Sequence, residues 1–255
     1  MRDSLGRVKI EDILVIPEGW PHIMELTVSL PCKKIAFAMS VEYILPKLPS
    51  GVTWRDFGIR QAITTTPGVA HFVEVVMQIP VYVIGSSIDC SFFHFVPEKK
   101  RKLIVYPGRA EGNREEAEIM YRILGMLNSV FNDYELLPVT DLSLPDYRDV
   151  LMQAEYYLTL VSRWANNTGV LEAMACGCVV GGYAGMGCES VVKNAEDCLL
   201  ASHGDYLEAA KLIVKTLEFP ELKERIISNA IVSPQAYTAQ KEEERIVDFF
   251  RNRIL

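Results

Sequence analysis

The sequence predicts an α/β protein built on parallel sheets. Apolar runs of strand length alternate with amphipathic helical stretches along nearly the whole chain, the pattern of a sheet covered by helices. Most of these runs stop at Pro or Gly. At 255 residues, 49% apolar and 23% charged, the chain can bury one large core or two modest ones.

The elements follow in order. Ile13–Ile16 is a short apolar run ended by Pro17, and Lys34–Ala38 is a second. Gln61–Thr66 is a third, stopped by Pro67-Gly68; residues 69–78 read as helix and Val81–Ile84 as a strand ending at Gly85. From Ile88 to Lys102 no period holds, and an aromatic group at Phe92, Phe93, His94 and Phe95 precedes Pro97. This stretch reads as the crossing between two domains. Leu103–Tyr106 is a strand closed by Pro107-Gly108, then a helix over 114–128 carries Ala117, Met120, Tyr121 and Leu124 on one face. Tyr134–Leu137 reads as strand, Tyr147–Glu155 as helix and Tyr156–Leu160 as strand. A helix from about Gly169, a turn at Gly177 and a buried strand at Cys178–Val180 come next. Asp205–Leu217, Glu221–Ala230 and residues 239–253 are helical. The domains expected are a partial one over 1–88, a complete one over 89–238, and a terminal helix over 239–255 returning to the first.

Composition excludes several classes. A net charge of −7 is wrong for a nucleic-acid binder, which needs a basic face for phosphates. Lys99-Lys-Arg-Lys102 is the local exception; it reads as a solvated run before a strand, with a membrane-surface or polyphosphate contact as the alternative. No apolar run reaches the roughly 18 residues of a membrane span. The first residues lack a signal-peptide core, so a cytoplasmic protein is expected. The six cysteines, at 32, 90, 176, 178, 188 and 198, sit mostly in apolar segments and read as buried free thiols. Cys176-Gly-Cys178 is not a metal spacing, and neither a metal nor a cofactor is expected.

The most informative stretch runs from Asn166-Asn-Thr-Gly-Val-Leu-Glu172 to Gly182, then on to Gly185-Met-Gly-Cys-Glu189. A polar loop ends there at a helix N-terminus, whose free N–H groups and dipole favour an anion. Glu172, read as lying in the first turn, is placed to accept hydrogen bonds from sugar hydroxyls. A diphosphate beside a carboxylate that grips a ribose is the minimum for holding a nucleotide-sugar. An ordinary loop–helix–strand unit with no ligand explains the same residues.

These residues resemble the donor-binding half of the GT-B-fold glycosyltransferases, in particular the retaining group-1 (family-4-like) type. Gly169-Val-Leu-Glu-Ala-Met-Ala-Cys-Gly177 resembles the family's donor helix, with its Glu-Ala-Met-Ala-x-Gly run. Val105-Tyr-Pro-Gly-Arg109 resembles its strand ending in Gly-Arg, and Gly85-Ser-Ser-Ile-Asp89 its interdomain linker. Gly185–Glu189 stands at the family's Gly-Gly-x-x-Glu, and Asn194–Leu200 at a further motif. The resemblance covers about residues 60–250 and implies two Rossmann-type domains, the N-terminal one shortened.

It also implies roles. Arg109, after Gly108, would offer a planar fork of donors to the diphosphate, and Arg114 a second positive charge. Asn167 and the main chain around Thr168, Gly169, Val170 and Leu171 would cap the phosphates. Glu172 would take the ribose hydroxyls, and the backbone at Leu137-Pro-Val139 would face the base. The sequence departs from the family at one place that matters. Eight residues before Glu172, where the family has a second acid, stands Trp164. No catalytic residue is assigned, and His22 and His71 read as structural.

Two functions stay open. One is a metal-independent transferase moving a sugar from a nucleotide-sugar donor to an unknown acceptor. The other is a degenerate nucleotide-sugar-binding module, or one subunit of a split enzyme. A nucleotide-sugar epimerase of the same fold is a weaker third. Peripheral contact with a membrane, a second copy and a companion subunit are open as partners.

Overall fold

A parallel strand can pair with its neighbour only after a crossover, so each run of this chain is followed by a segment that returns along a sheet face. The structure, a computed structural model, describes residues 7–108, 111–160, 168–183 and 192–254, with the backbone alone at 111–113. It falls into two units: one from the N-terminal segment through Ser86 together with the chain from Gln240, the other from Ser87 to Ala239.

The first unit holds a four-stranded parallel sheet in the order β1 (Ile13–Pro17), β2 (Lys33–Ala38), β3 (Gln61–Thr64), β4 (Val81–Val83). Helix α1 (Pro21–Leu26) follows β1, and α2 (Pro67–Met77) follows β3. Strand periodicity sorts the side chains. Ile16, Ala36, Ala38 and Ala62 face Val69, Val73 and Met77 of α2, together with Met24 and Trp54. Ile35, Ile63 and Ile84 form a cluster with Phe249, which is fully buried. Pro67 does not end the third run in a loop. It occupies the first turn of α2, where its missing N–H costs nothing, and the Thr66 hydroxyl caps the N–H of Val69.

Among the described residues the second unit carries five parallel strands and five α-helices, with a sixth helix starting at its last residue. In chain order these are β5 (Arg101–Tyr106), α3 (Glu111–Leu127), β6 (Glu135–Pro138), α4 (Leu144–Gln153), β7 (Ala154–Thr159), α5 (Thr168–Ala175), β8 (Val179–Tyr183), β9 (Leu199–Ala201), α6 (Tyr206–Glu218) and α7 (Pro220–Ala230). The sixth, α8 (Ala239–Asp248), begins at the boundary and belongs to the first unit from Gln240 on, where it runs into a single π-helical turn at Phe249–Arg253. There the Tyr82 hydroxyl donates to Asp248 at 2.9 Å, and the Gln61 amide to the Arg253 carbonyl at 2.8 Å.

The five-stranded sheet has the order β6-β5-β7-β8-β9, parallel throughout. One face packs Leu103, Val105, Tyr157 and Val180 against α4 and α5; the other packs Ile104, Tyr156, Leu158 and Val179 against α3 and α6. Both faces are therefore dry. That explains why its strands read as continuous apolar runs rather than alternating ones. The fold class is the one expected: two Rossmann-like parallel-sheet units, the first smaller.

Three local expectations need correction. The helix expected over Tyr147–Glu155 starts at Leu144, capped by Ser143, and ends at Gln153; Glu155 lies in β7. The run at 239–253 is not one α-helix, because its last turn is π-helical. Lys99-Lys-Arg-Lys102 is not uniformly solvated. Lys100 is half-buried and donates to the carbonyls of Leu151 and Ala154 and to Cys178 Sγ, so it closes the C-terminal end of α4.

The carboxyl ends of β7 and β8 approach closely because Gly181 and Gly182 stand in β8. A Cβ on Gly182, at φ 135°, would lie 2.1 Å from the Thr159 carbonyl oxygen. Backbone cannot give way there, so Gly182→Ala should cost about 3 kcal/mol or more. Gly204 also has a positive φ, 79°, but nothing within 4 Å; Gly204→Ala should cost only about 1 kcal/mol. Equal losses in chemical denaturation of the two variants would contradict the close approach.

Candidate functional site

From β5 the chain moves to one neighbour, β6, and then returns to the other side of β5 to lay down β7. The helix after β5 packs on one sheet face and the helix after β7 on the other. Between those strands the connections part, which opens a crevice at the carboxyl edge.

Gly108 follows β5 in that crevice. A Cβ on it would meet Pro138 Cβ at 2.9 Å and Thr140 Cβ at 3.3 Å. Glycine is required for this loop to lie against the end of β6. Val139 sits beside it, 9% exposed, and its N–H donates to the Tyr106 carbonyl at 2.8 Å. Its N–H is thus spent on the fold, and any reading of a base by this residue falls to the carbonyl.

Thr168 opens α5 beyond β7. Thr168 and Gly169 are half-buried, whereas Val170 and Leu171 are buried in the core. Those two side chains anchor the first turn, and its main-chain N–H groups are what it offers a ligand. Glu172 is the fifth helical residue, just past the first turn in which it was expected, because the helix begins at Thr168. It is half-buried, and its Oε2 accepts a hydrogen bond from the Tyr147 hydroxyl at 2.9 Å. Tyr147 comes from α4 and is held edge-on by Phe93, with ring centroids 6.0 Å apart. Burial raises the pKa of the Glu172 carboxyl, and the hydrogen bond from Tyr147 works against that rise. Burial likewise pushes the Tyr147 hydroxyl well up, so it remains a donor.

Arg114 is exposed on α3, and its Nε donates to Glu118 Oε1 at 3.0 Å, an i,i+4 surface pair. It also lies near enough to Tyr106, at the end of β5, to oppose the burial-driven rise of that hydroxyl's pKa. Its described partner is on its own helix, not on the loops of Gly108 or Val139. Arg109 and Asn167 lie outside the described residues, as do Trp164 and Gly185–Glu189. The structure thus gathers Gly108, Val139, Thr168–Leu171 and Glu172 along one sheet edge.

Cys176 and Cys178 are buried at the opposite, amino end of the sheet, and burial pushes the Cys176 thiol up to about 12. Among the described cysteines none forms a disulfide. Among the described residues no three His, Cys, Asp or Glu side chains gather as a metal site, and no helix is long and apolar enough to cross a membrane. His22 and His71 are exposed. Tyr147 and Phe93 escaped the sequence reading, for neither period nor spacing links them to Glu172. Glu18 escaped it too. It is 2% exposed just past β1, accepts the N–H groups of Met39 and Ser40 at 3.2 Å each, and has its pKa raised by burial.

No protein-family model and no curated protein matches the chain. Solved structures do. The chain is similar to sucrose-phosphate synthase from Thermosynechococcus elongatus at 15% identity, covering 94% of this chain and 73% of that one, with a TM-score of 0.70. It is similar to Anabaena HepE, solved with UDP and glucose, at 11% identity, 98% and 80% coverage and a TM-score of 0.74. The pneumococcal O-GlcNAc transferase GtfA, solved with UDP and GlcNAc, gives 14%, 96% and 57%, and 0.67. These are GT-B glycosyltransferases, and the chain has their fold.

Glu172→Gln keeps an acceptor for Tyr147 while removing the charge. The folded pKa of Glu172 lies above its unfolded value, so its stabilising contribution is complete below the unfolded pKa and is lost as pH rises through the folded one. The variant lacks that loss. Its thermal stability relative to the parent should therefore increase from about pH 4 toward neutrality. A difference that stays constant over that range would sink the buried-charge account.

Proposed function

We propose that the chain is a glycosyltransferase that takes a sugar from a nucleotide-sugar donor. The donor's nucleoside diphosphate lies at the carboxyl edge of the five-stranded sheet. The observation that carries this is Glu172: a half-buried carboxylate one turn into the helix that follows β7, beside the point where the strand order reverses. A carboxylate kept there against its own desolvation needs a partner rich in hydroxyls, and a ribose is one.

In this reading the N–H groups of Thr168–Leu171 receive the phosphates, with Asn167 beside them. Gly108 lets the following Arg109 reach the diphosphate, and the backbone at Val139 faces the base. Arg114 adds positive charge once it leaves Glu118. The leaving diphosphate is neutralised by these cations and amides without a metal. Trp164 stands where an acid would face the sugar, so negative charge for an oxocarbenium-like centre comes from the departing diphosphate, which suits retention of configuration. The UDP complexes of HepE and GtfA support a uridine donor first. The reaction is placed in the cytoplasm, and the acceptor is unassigned.

A second reading has its own support. The bond from Tyr147 already occupies one oxygen of Glu172, and Trp164 lacks a carboxylate; a module that binds the nucleotide without turnover fits both. Calorimetry with UDP, GDP and ADP and their sugars, followed by assays of hydrolysis and transfer, separates the two. The transferase predicts binding of at least one diphosphate and turnover of its sugar. Glu172→Ala should weaken that binding about tenfold or more, since two ribose hydrogen bonds are lost. Binding without turnover selects the module, and silence from every ligand ends both readings.

A further inference from the structure

The amino edge of the four-stranded sheet carries a cavity of about 200 Å³. It is formed where β2 and β3 begin, at the opposite end of the strands from the edge at which such sheets bind their ligands. Lys33, Lys34 and Arg60 line it, with Gly58 and Gln61 between them. No acidic side chain is in the lining, and among the described residues none of the three cations is in an ion pair. This is unusual in a chain of net charge −7.

One of these groups, Lys34, is built into the fold, and the exposed Arg60 is tethered to it. Lys34 is only 8% exposed, and its ammonium donates to the carbonyls of Val28 and Leu30 at 3.2 and 3.0 Å. Carbonyls supply dipoles but no counter-charge, so the part-buried ammonium has no ionic partner. Arg60 is fixed by one donor nitrogen on the Arg55 carbonyl at 2.7 Å, which leaves other guanidinium donors of its planar fork for another acceptor. Lys33 is exposed at the mouth. Gly58, at φ 78°, turns the chain next to Lys34, and a Cβ there would come within 3.4 Å of its ammonium. Ile35 and Ile254 close the apolar sides.

We propose that this cavity is a binding site for a phosphate group, held by Lys33, Lys34 and Arg60. Its volume of about 200 Å³ is enough for phosphate or a small phosphate ester. Arginine and lysine together suit phosphate oxygens, the one through its fork, the other as a point charge. The site stands whether or not the second unit takes a nucleotide-sugar.

The test uses the full chain with isotope-labelled isoleucine methyl groups. Titration with inorganic phosphate and with glycerol phosphate should shift the Ile35 and Ile254 methyls saturably. Added salt should weaken the effect, and Lys33→Glu should weaken it about tenfold or more. Lys33 is exposed, so that variant should unfold at the parent's temperature and bind nucleoside diphosphate as the parent does. Vesicles of phosphatidylcholine with and without phosphatidic acid distinguish the source. Perturbation of the same methyls by the anionic vesicles alone supports the site with a lipid headgroup as the phosphate donor. Absence of any response to phosphate, ester or vesicle overturns the proposal. So does a response that Lys33→Glu leaves unchanged.

Discussion

Five parallel strands with helices on both faces leave the carboxyl edge as the place where the chain departs from every strand. In the second unit the order β6-β5-β7 sends successive connections to opposite faces. What the edge requires of its residues follows from this divergence. Gly108 is needed because the loop after β5 is pressed against Pro138 and Thr140. Val170 and Leu171 turn inward because α5 must be pinned to the sheet at its first turn, and that pinning presents amide groups rather than side chains to the crevice.

The same packing explains how the edge holds its shape. Gly182 lets β8 approach the backbone of β7, and Gly181 makes room for the Ile213 side chain of α6. At the opposite, amino end of the sheet Gly177, at φ 75°, receives the ring of Phe95, whose contact a Cβ would displace. These are contacts between residues far apart in sequence, so a local reading sees the glycines and cannot say what each one makes room for.

That difference runs through what was legible. In the second unit β5, β7 and β8 could be read because a strand dry on both faces must be apolar along its length, as Leu103–Tyr106 and Tyr156–Leu158 are; β6 was read although its ends are exposed, and β9, three residues long, was not. Helix α3 was legible through Ala117, Met120 and Leu124, all fully buried. In the first unit α1 was invisible. It is one short helix, Pro21–Leu26, whose only fully buried residue is Met24, and one position has no period. Pro67 was misread since proline marks a helix start as readily as a strand end. Lys100 looked solvated because its partners, the carbonyls of Leu151 and Ala154, lie some fifty residues on. The helix that carries Glu172 was legible from its run of neighbours, while the hydrogen bond to it from Tyr147 was not.

The pair Tyr147–Glu172 shows why that omission matters chemically. A carboxyl at this depth tends toward its neutral form, which has one proton to donate and less acceptor strength than the anion. A ribose diol is best gripped by an anion that accepts from both hydroxyls. An incoming diphosphate adds negative charge nearby and favours the neutral form further. Tyr147 counters both tendencies, since its hydrogen bond is worth more to the charged carboxylate than to the acid. Phe93 keeps the ring in place for that bond. In the proposed site Tyr147 is a positioning residue that favours the charged form of Glu172 against its burial. The proposed grip on a ribose would then depend on a donor from α4 as much as on the acid in α5.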